Sequence, residues 1–233
     1  MNASICGLPV LGCFPDQRNV VLNLSAASVG HSNLGGLGPD FDAPPTLAFR
    51  SVGIAHDGRA IDLVVSNLST YTPRNTGNNG ITNGHLGEVN LNGGHDVQLR
   101  FEIMDSEHGG PVVLQQVYLS VVDIDEFENG FSVETVWVSG FDSYVHASDA
   151  AAEIVYSPDS GEVQVTAQGR GNNADNPADP AALRSVEQLR RSVQFSFSVV
   201  SSFGIRFGIS ESTWGRSLFF SGERVFELPV CAP

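Results

Sequence analysis

The feature that most constrains this chain is an apolar–polar alternation with a period of two. The run Val193-Gln-Phe-Ser-Phe-Ser-Val alternates without a break. Successive side chains of a strand point to opposite faces, so such a run buries one face and wets the other. The same period recurs at 46–54, 60–65, 97–104, 112–122, 131–139, 153–156, 162–167, 203–209 and 217–220, with a first candidate strand at 19–25. Tight-turn residues separate these runs, as in Asp57-Gly58 between 46–54 and 60–65, a pairing that favours a two-residue hairpin turn. Many short strands with at most one helix predict an all-β, antiparallel two-layer sandwich of jelly-roll type. With 233 residues, 41% of them hydrophobic and 16% charged, the chain has ample apolar surface for a core and too little charge for a disordered segment.

One stretch departs from the alternation. Asp179 precedes Pro180, and Leu183, Val186 and Leu189 fall on one helical face, with Arg190 and Arg191 behind them. An N-cap acid, proline at the first helical position and cations at the end predict a surface helix over about 179–191. The domain reading is a Gly/Pro-rich segment at 1–45, one sandwich domain at 46–228 and a tail at 229–233. Residues 28–45 are expected to run irregularly over the surface. The polar loops at 67–83, with five Asn, and at 169–177 are expected to carry binding, as long loops on rigid scaffolds do.

Charge narrows the partners. Acidic residues outnumber basic ones 26 to 12, every base is Arg, and the net charge is −14. Such a surface repels phosphate backbones, which sets the expectation of no nucleic-acid partner. No apolar run reaches the ~18 residues of a spanning helix, so no membrane span is expected. Cys6, Cys13 and Cys231 lie at the chain ends. A Cys6–Cys13 disulfide is expected, with pairing of either to Cys231 as the alternative. No charged n-region followed by an apolar stretch marks a signal peptide. The Asn-x-Ser triplets at Asn2, Asn23 and Asn67 point to an extracytoplasmic setting.

The densest acidic cluster is Asp123-Ile-Asp-Glu-Phe-Glu-Asn-Gly130, directly after an apolar strand. Oxygen-rich side chains at a strand end suit calcium, a hard cation that takes six to eight oxygen ligands. The candidate ligands are Asp123, Asp125 and Glu126, with Asp175 and Asp179 from a second oxygen-rich set and Asp40 and Asp42 from a third. The bland reading of all three sets is solvated turn residues and a helix cap. Candidate ligand-contacting residues are Trp214, which suits stacking on a sugar, and Tyr71, Asn75 and Asn79 in the long polar loop.

Two resemblances bear on function. Asp123-x-Asp125-x-x-Glu128 resembles the Glu-x-Asp-x-x-Glu signature of laminarinase-type β-sandwich glycoside hydrolases. The nucleophile position is one methylene short here, which disturbs the carboxyl separation of about 5–5.5 Å that retaining hydrolysis needs. Separately, Gly87-Glu-Val-Asn-Leu, Gly110-Pro-Val, Val138-Ser-Gly-Phe-Asp-Ser-Tyr144, Arg191-Ser-Val and Gly215-Arg-Ser-Leu-Phe-Phe-Ser-Gly222 resemble a group of β-sandwich domains of marine microbes and algae without assigned activity. That resemblance covers a little over half the chain, implies the sandwich fold and an extracytoplasmic location, and transfers no catalytic residue. The expected function is therefore a non-enzymatic, calcium-steadied module that binds a glycan or polysaccharide. The alternatives are an accessory subunit docking on a protein partner in a larger assembly, and a degenerate glycoside hydrolase.

Overall fold

The computed structural model describes residues 3–7, 20–127, 130–172, 175–176, 179–182 and 185–226. In chain order the strands are β1 Ala3–Gly7, β2 Ser28–Ser32, β3 Leu47–Ile54, β4 Ala60–Asn67, β5 Gly80–Thr82, β6 Leu86–Leu91, β7 Asp96–Asp105 and β8 Leu114–Val122. They continue as β9 Glu134–Ser139, β10 Ser143–Ala147, β11 Ala152–Ser157, β12 Glu162–Ala167, β13 Val193–Val200, β14 Ser202–Ile209 and β15 Arg216–Ser221. One seven-stranded sheet has the order β1-β10-β13-β8-β15-β6-β5, and one eight-stranded sheet the order β11-β12-β9-β14-β7-β4-β3-β2. The expected antiparallel, jelly-roll-like sandwich is the fold observed. No helix among the described residues is long and apolar enough to cross a membrane.

The alternation does its work between the sheets. Phe49, Phe101 and Phe203 of the eight-stranded sheet meet Phe197 and Phe220 of the seven-stranded one. Phe220 packs edge-on against Phe49 and Phe101 at centroid distances of 5.8 and 5.1 Å, and Phe203 stacks on Phe101 at 5.2 Å and on Phe197 at 4.8 Å. Each of these geometries is favourable beyond the area it buries. Gly87 has no side chain because Phe220 occupies that space.

Some boundaries differ from the sequence expectations. In the described part of 19–25, Leu22 forms an isolated bridge to Gly222 and Asn23 N donates to Val52 O at 2.7 Å without building a strand, and the next strand is β2. Residues 28–45 are tied down rather than irregular. Besides β2 they hold a 3-10 turn at Leu34–Gly36, and the Asn33 amide donates to Ala43 O at 2.7 Å and accepts from Gly38 N at 2.8 Å. The helix is shorter and starts later than 179–191. Residues Pro180–Ala182 form a 3-10 turn, and α1 spans Val186–Arg190 with Ser185 as its N-cap. The cause is a capping box: Ser185 Oγ accepts from Gln188 N while the Gln188 side chain accepts from Ser185 N, which satisfies two orphan donors at once. Leu183 lies outside the described residues. The expected disulfide is corrected: no disulfide is present among the described residues, and Cys13 and Cys231 lie outside them.

Phe101 touches partners on both sheets, so its loss opens a cavity at the middle of the core. Phe101→Ala is expected to lower unfolding stability by about 3–5 kcal/mol in urea titration, whereas a loss under about 1 kcal/mol would contradict this packing.

Candidate metal centre

The centre is built where β8 stops. Val122 ends the strand, and Asp123 adopts a left-handed backbone with φ of 62°. The turn keeps Ile124 in the core, its N–H bonded to Arg191 O at 3.0 Å, and brings the carboxylates of Asp123 and Asp125 round to one side. Asp125 is latched to β9: its N–H donates to Glu134 Oε2 at 3.2 Å and its carbonyl accepts from Glu134 N at 3.3 Å. The loop after β12 then closes over it. Gly171 lies so near the Asp125 carboxylate that any Cβ would overlap it, and Gly171 N donates to Glu126 O at 3.3 Å. The same loop delivers Asp175, whose two oxygens accept from Asn172 N at 2.9 and 3.0 Å.

One oxygen from each of Asp123, Asp125 and Asp175 lies within 4.8 Å of the others. Two arginines stand around them. Arg191 pairs through Nε with Asp175 at 2.7 Å and donates to Gly169 O and Arg170 O at 3.1 and 2.8 Å, clasping the loop. Arg216, at the head of β15, contacts Asp125 and pairs with Glu134 at 3.0 Å. Asp123, 9% exposed, has no hydrogen bond or ion pair to another described residue. Four carboxylates therefore face two guanidiniums where burial strips most of their solvation. Burial and the neighbouring Asp175 push the Asp123 carboxyl up to about 6. Burial and Asp123 together hold Glu134 well above the usual carboxylate range, and burial lowers Arg216. Protons supply the missing positive charge in the absence of another cation, and a divalent ion held by the three aspartates would supply it instead. The buried trio is thus a cluster able to coordinate a divalent ion.

The other expected ligands are placed elsewhere. Glu126 contributes its backbone to a bridge with Arg170, Asp179 accepts from Ala182 N through its carbonyl, and neither joins the trio. Asp40 accepts from Ser32 N at 2.7 Å within its own loop, beside the exposed Asp42. Of the expected ligand-contacting residues, Tyr71 and Asn79 point inward. The Tyr71 hydroxyl lies 2.7 Å from Asn90 O and 3.0 Å from Asn79 Oδ1, the two acceptors for its one proton, so the pair is engaged in an inward hydrogen-bond network. Asn75 caps an exposed turn by accepting from Gly77 N at 3.0 Å. Trp214 does face solvent, 59% exposed, with its ring 6.4 Å from that of Phe127. Glu128 lies outside the described residues. Asp123 and Asp125 follow a strand end instead of lining a strand face, and Asp125 is buried beneath Gly171, so among the described residues the hydrolase signature shows no accessible carboxylate pair.

Sequence reading missed Glu134, Arg191, Arg216 and Gly171. A signal for three of them was present. Glu134 shares the parity of Val136 and Val138, Arg191 that of Val193 and Phe195, and Arg216 that of Leu218 and Phe220, all buried. A charged residue in a core-facing register needs a partner, and here the partners are one another.

No family model and no curated protein sequence matches this chain. Solved structures do. The N-terminal domain of the Streptococcus gordonii adhesin Sgo0707 aligns with a TM-score of 0.50 at 13% identity, over 90% of this chain and 62% of that one. The adhesin domain of PrgB from Enterococcus faecalis bound to DNA aligns at 0.42 with 13% identity, over 76% of this chain and 66% of its own. A second structure of the PrgB domain aligns at 0.44 with 13% identity, over 78% of this chain and 64% of its own. This chain spans slightly under two thirds of those domains, and the likeness is one of fold. The PrgB complex corrects the expectation of no nucleic-acid partner, because net charge is a sum over the surface and does not decide what one face binds.

The Asp123 shift gives a signed pH dependence. Its folded value of about 6 exceeds its ordinary 3.8, so the ion-free protein holds this proton more tightly than the unfolded chain and loses that stabilisation as pH rises from 3.8 to about 6. Thermal melts in chelator should fall across that window, and added calcium should raise Tm more at pH 7 than at pH 5. Equal calcium shifts at both pH values would contradict ion binding through Asp123.

Proposed function

We propose that this chain is a non-enzymatic, extracytoplasmic binding module that recognises a glycan at one end of the sandwich and holds that end in shape with calcium. The observation that carries the reading is the Asp123 carboxylate, nine-tenths buried, with no hydrogen bond or ion pair among the described residues, and clustered with two further aspartates. An all-oxygen set of carboxylates selects a hard cation, and calcium accepts the irregular geometry such loops offer, with water and backbone carbonyls filling the remaining positions. Calcium-binding extracellular modules work at dissociation constants of roughly 10⁻⁴–10⁻³ M, in keeping with a centre where two arginines already offset part of the charge.

The glycan surface is the adjoining rim. Phe127, Phe131 and Trp214 are 41%, 63% and 59% exposed, and Phe127 and Phe131 are joined through Phe127 N and Phe131 O at 3.1 Å. Arg170, on the loop that Arg191 clasps, lies with its guanidinium 5.8 Å from the Phe127 ring. Exposed rings beside polar groups offer flat apolar faces to the C–H face of a sugar and donors to its hydroxyls. The calcium centre and the rim share the loop after β12 and the turn after β8, so the ion would fix the spacing of the rim.

A panel of immobilised polysaccharides tests the reading. At least one should retain the wild-type chain, Trp214→Ala should weaken retention about tenfold without lowering Tm, and chelator should weaken it too. Silence across a broad panel would refute glycan recognition.

A further inference from the structure

The outer face of the eight-stranded sheet carries a separate constellation. Strand register sets Gln164 of β12, Trp137 of β9, Arg206 of β14 and Gln98 of β7 in one row across four neighbouring strands. Their chain neighbours Val163, Val165, Val136, Val138, Ile205, Phe207, Val97 and Leu99 are buried, so the four side chains share the outward parity. The Arg206 guanidinium carbon sits 3.9 Å from the centroid of the Trp137 ring. The indole in turn lies across Gly208, where a Cβ would come within 3.0 Å of it. Backbone, indole and guanidinium are stacked in that order.

Stacking occupies a face of the guanidinium and leaves its N–H edge available. Arg206 makes no ion pair with a carboxylate among the described residues, although acids outnumber arginines 26 to 12. Arg50, Arg59, Arg100, Arg190, Arg191 and Arg216 have one, while Arg74 and Arg224 share the lack but stand outside this row. Beside it Gly204, opposite Arg100, has only Leu99 O within 4 Å of where a Cβ would stand, at 3.5 Å, so no side chain covers the sheet at that point.

We propose that this row is a second binding site, specific for a saccharide that bears a carboxylate. The planar guanidinium fork matches a carboxylate through two parallel hydrogen bonds, and an aromatic floor holds the fork flat before the ligand arrives. Gln98 and Gln164 both donate and accept, as sugar hydroxyls require. Strands lie about 4.8 Å apart, so Gln164, Arg206 and Gln98 offer polar contacts spaced on the scale of a sugar ring. Gly204 leaves room for a ring against the sheet. The row holds one cation, Arg206, which matches a single carboxylate rather than the run of phosphates from which a nucleic acid gains its affinity. A docked peptide strand needs a sheet edge, and these four residues lie on inner strands.

Calorimetric titration of the intact chain with a galacturonic-acid oligomer, a galactose oligomer of equal length and single-stranded oligothymidine tests this. Wild type should bind the acidic oligomer more tightly than the neutral one, and Trp214→Ala should keep that preference. Arg206→Gln should bind the acidic oligomer at least tenfold more weakly at unchanged Tm, and Gly204→Val, which keeps the guanidinium but covers the sheet at that point, should also weaken binding. Equal affinity for the neutral oligomer, tighter binding of the oligothymidine, no binding of the acidic oligomer by wild type, or indifference to Arg206→Gln would each overturn the proposal. Loss of all saccharide binding in Trp214→Ala alone would overturn it while leaving the rim reading intact.

Discussion

Four carboxylates gathered at the buried end of an apolar sandwich must be neutralised, and the local structure follows from how that is done. Desolvating an ionised carboxylate without compensation costs far more than a domain's margin of stability. Arg191 and Arg216 offset part of the charge, and each also performs a structural task. Arg191 gathers the loop after β12 through Gly169, Arg170 and Asp175, while Arg216 ties the head of β15 to β9 and to the turn after β8. The residual charge falls on Asp123, which is why the centre favours either a proton or a divalent cation.

The sandwich makes this concentration of charge possible. Interlocked phenylalanines from both sheets fix the strands' separation and register. Strand ends from the two layers then arrive together, β8 and β15 from one and β9 from the other. The loop after β12 can lie against Asp125 because Gly171 presents no side chain to it. Charge, backbone and core are thus coupled: removing the clasp frees the loop, and freeing the loop exposes the carboxylates to water.

Much of the architecture was legible because period-two alternation is a direct imprint of a half-buried sheet. The long strands β3, β4, β7, β13 and β14 sit where the pattern put them. Less was legible where the physics is not periodic. β5 is three residues long, and every residue of β6 is buried, so neither alternates visibly. The late start of α1 depended on a reciprocal Ser185–Gln188 cap that outcompeted Asp179-Pro180. In the candidate centre, the crowding of Asp123 and Asp125 was readable, and their meeting with Asp175 was anticipated from composition alone. The arginines escaped notice because each stands in a different segment, and only strand parity shows that all of them turn inward. Asp40, Tyr71 and Asn79 lie apart from the trio in hydrogen bonds of their own, and composition did not show this, since turn-forming and ligand-forming residues draw on the same residue types.

Calcium titration calorimetry at pH 7 on the wild-type chain and on Asp123→Asn tests the compensation most directly. One calcium per wild-type chain and no measurable binding by the variant is the expected result. An absence of binding heat in the wild type, or the same stoichiometry and affinity in Asp123→Asn, would contradict the idea that this buried carboxylate exists to hold a cation.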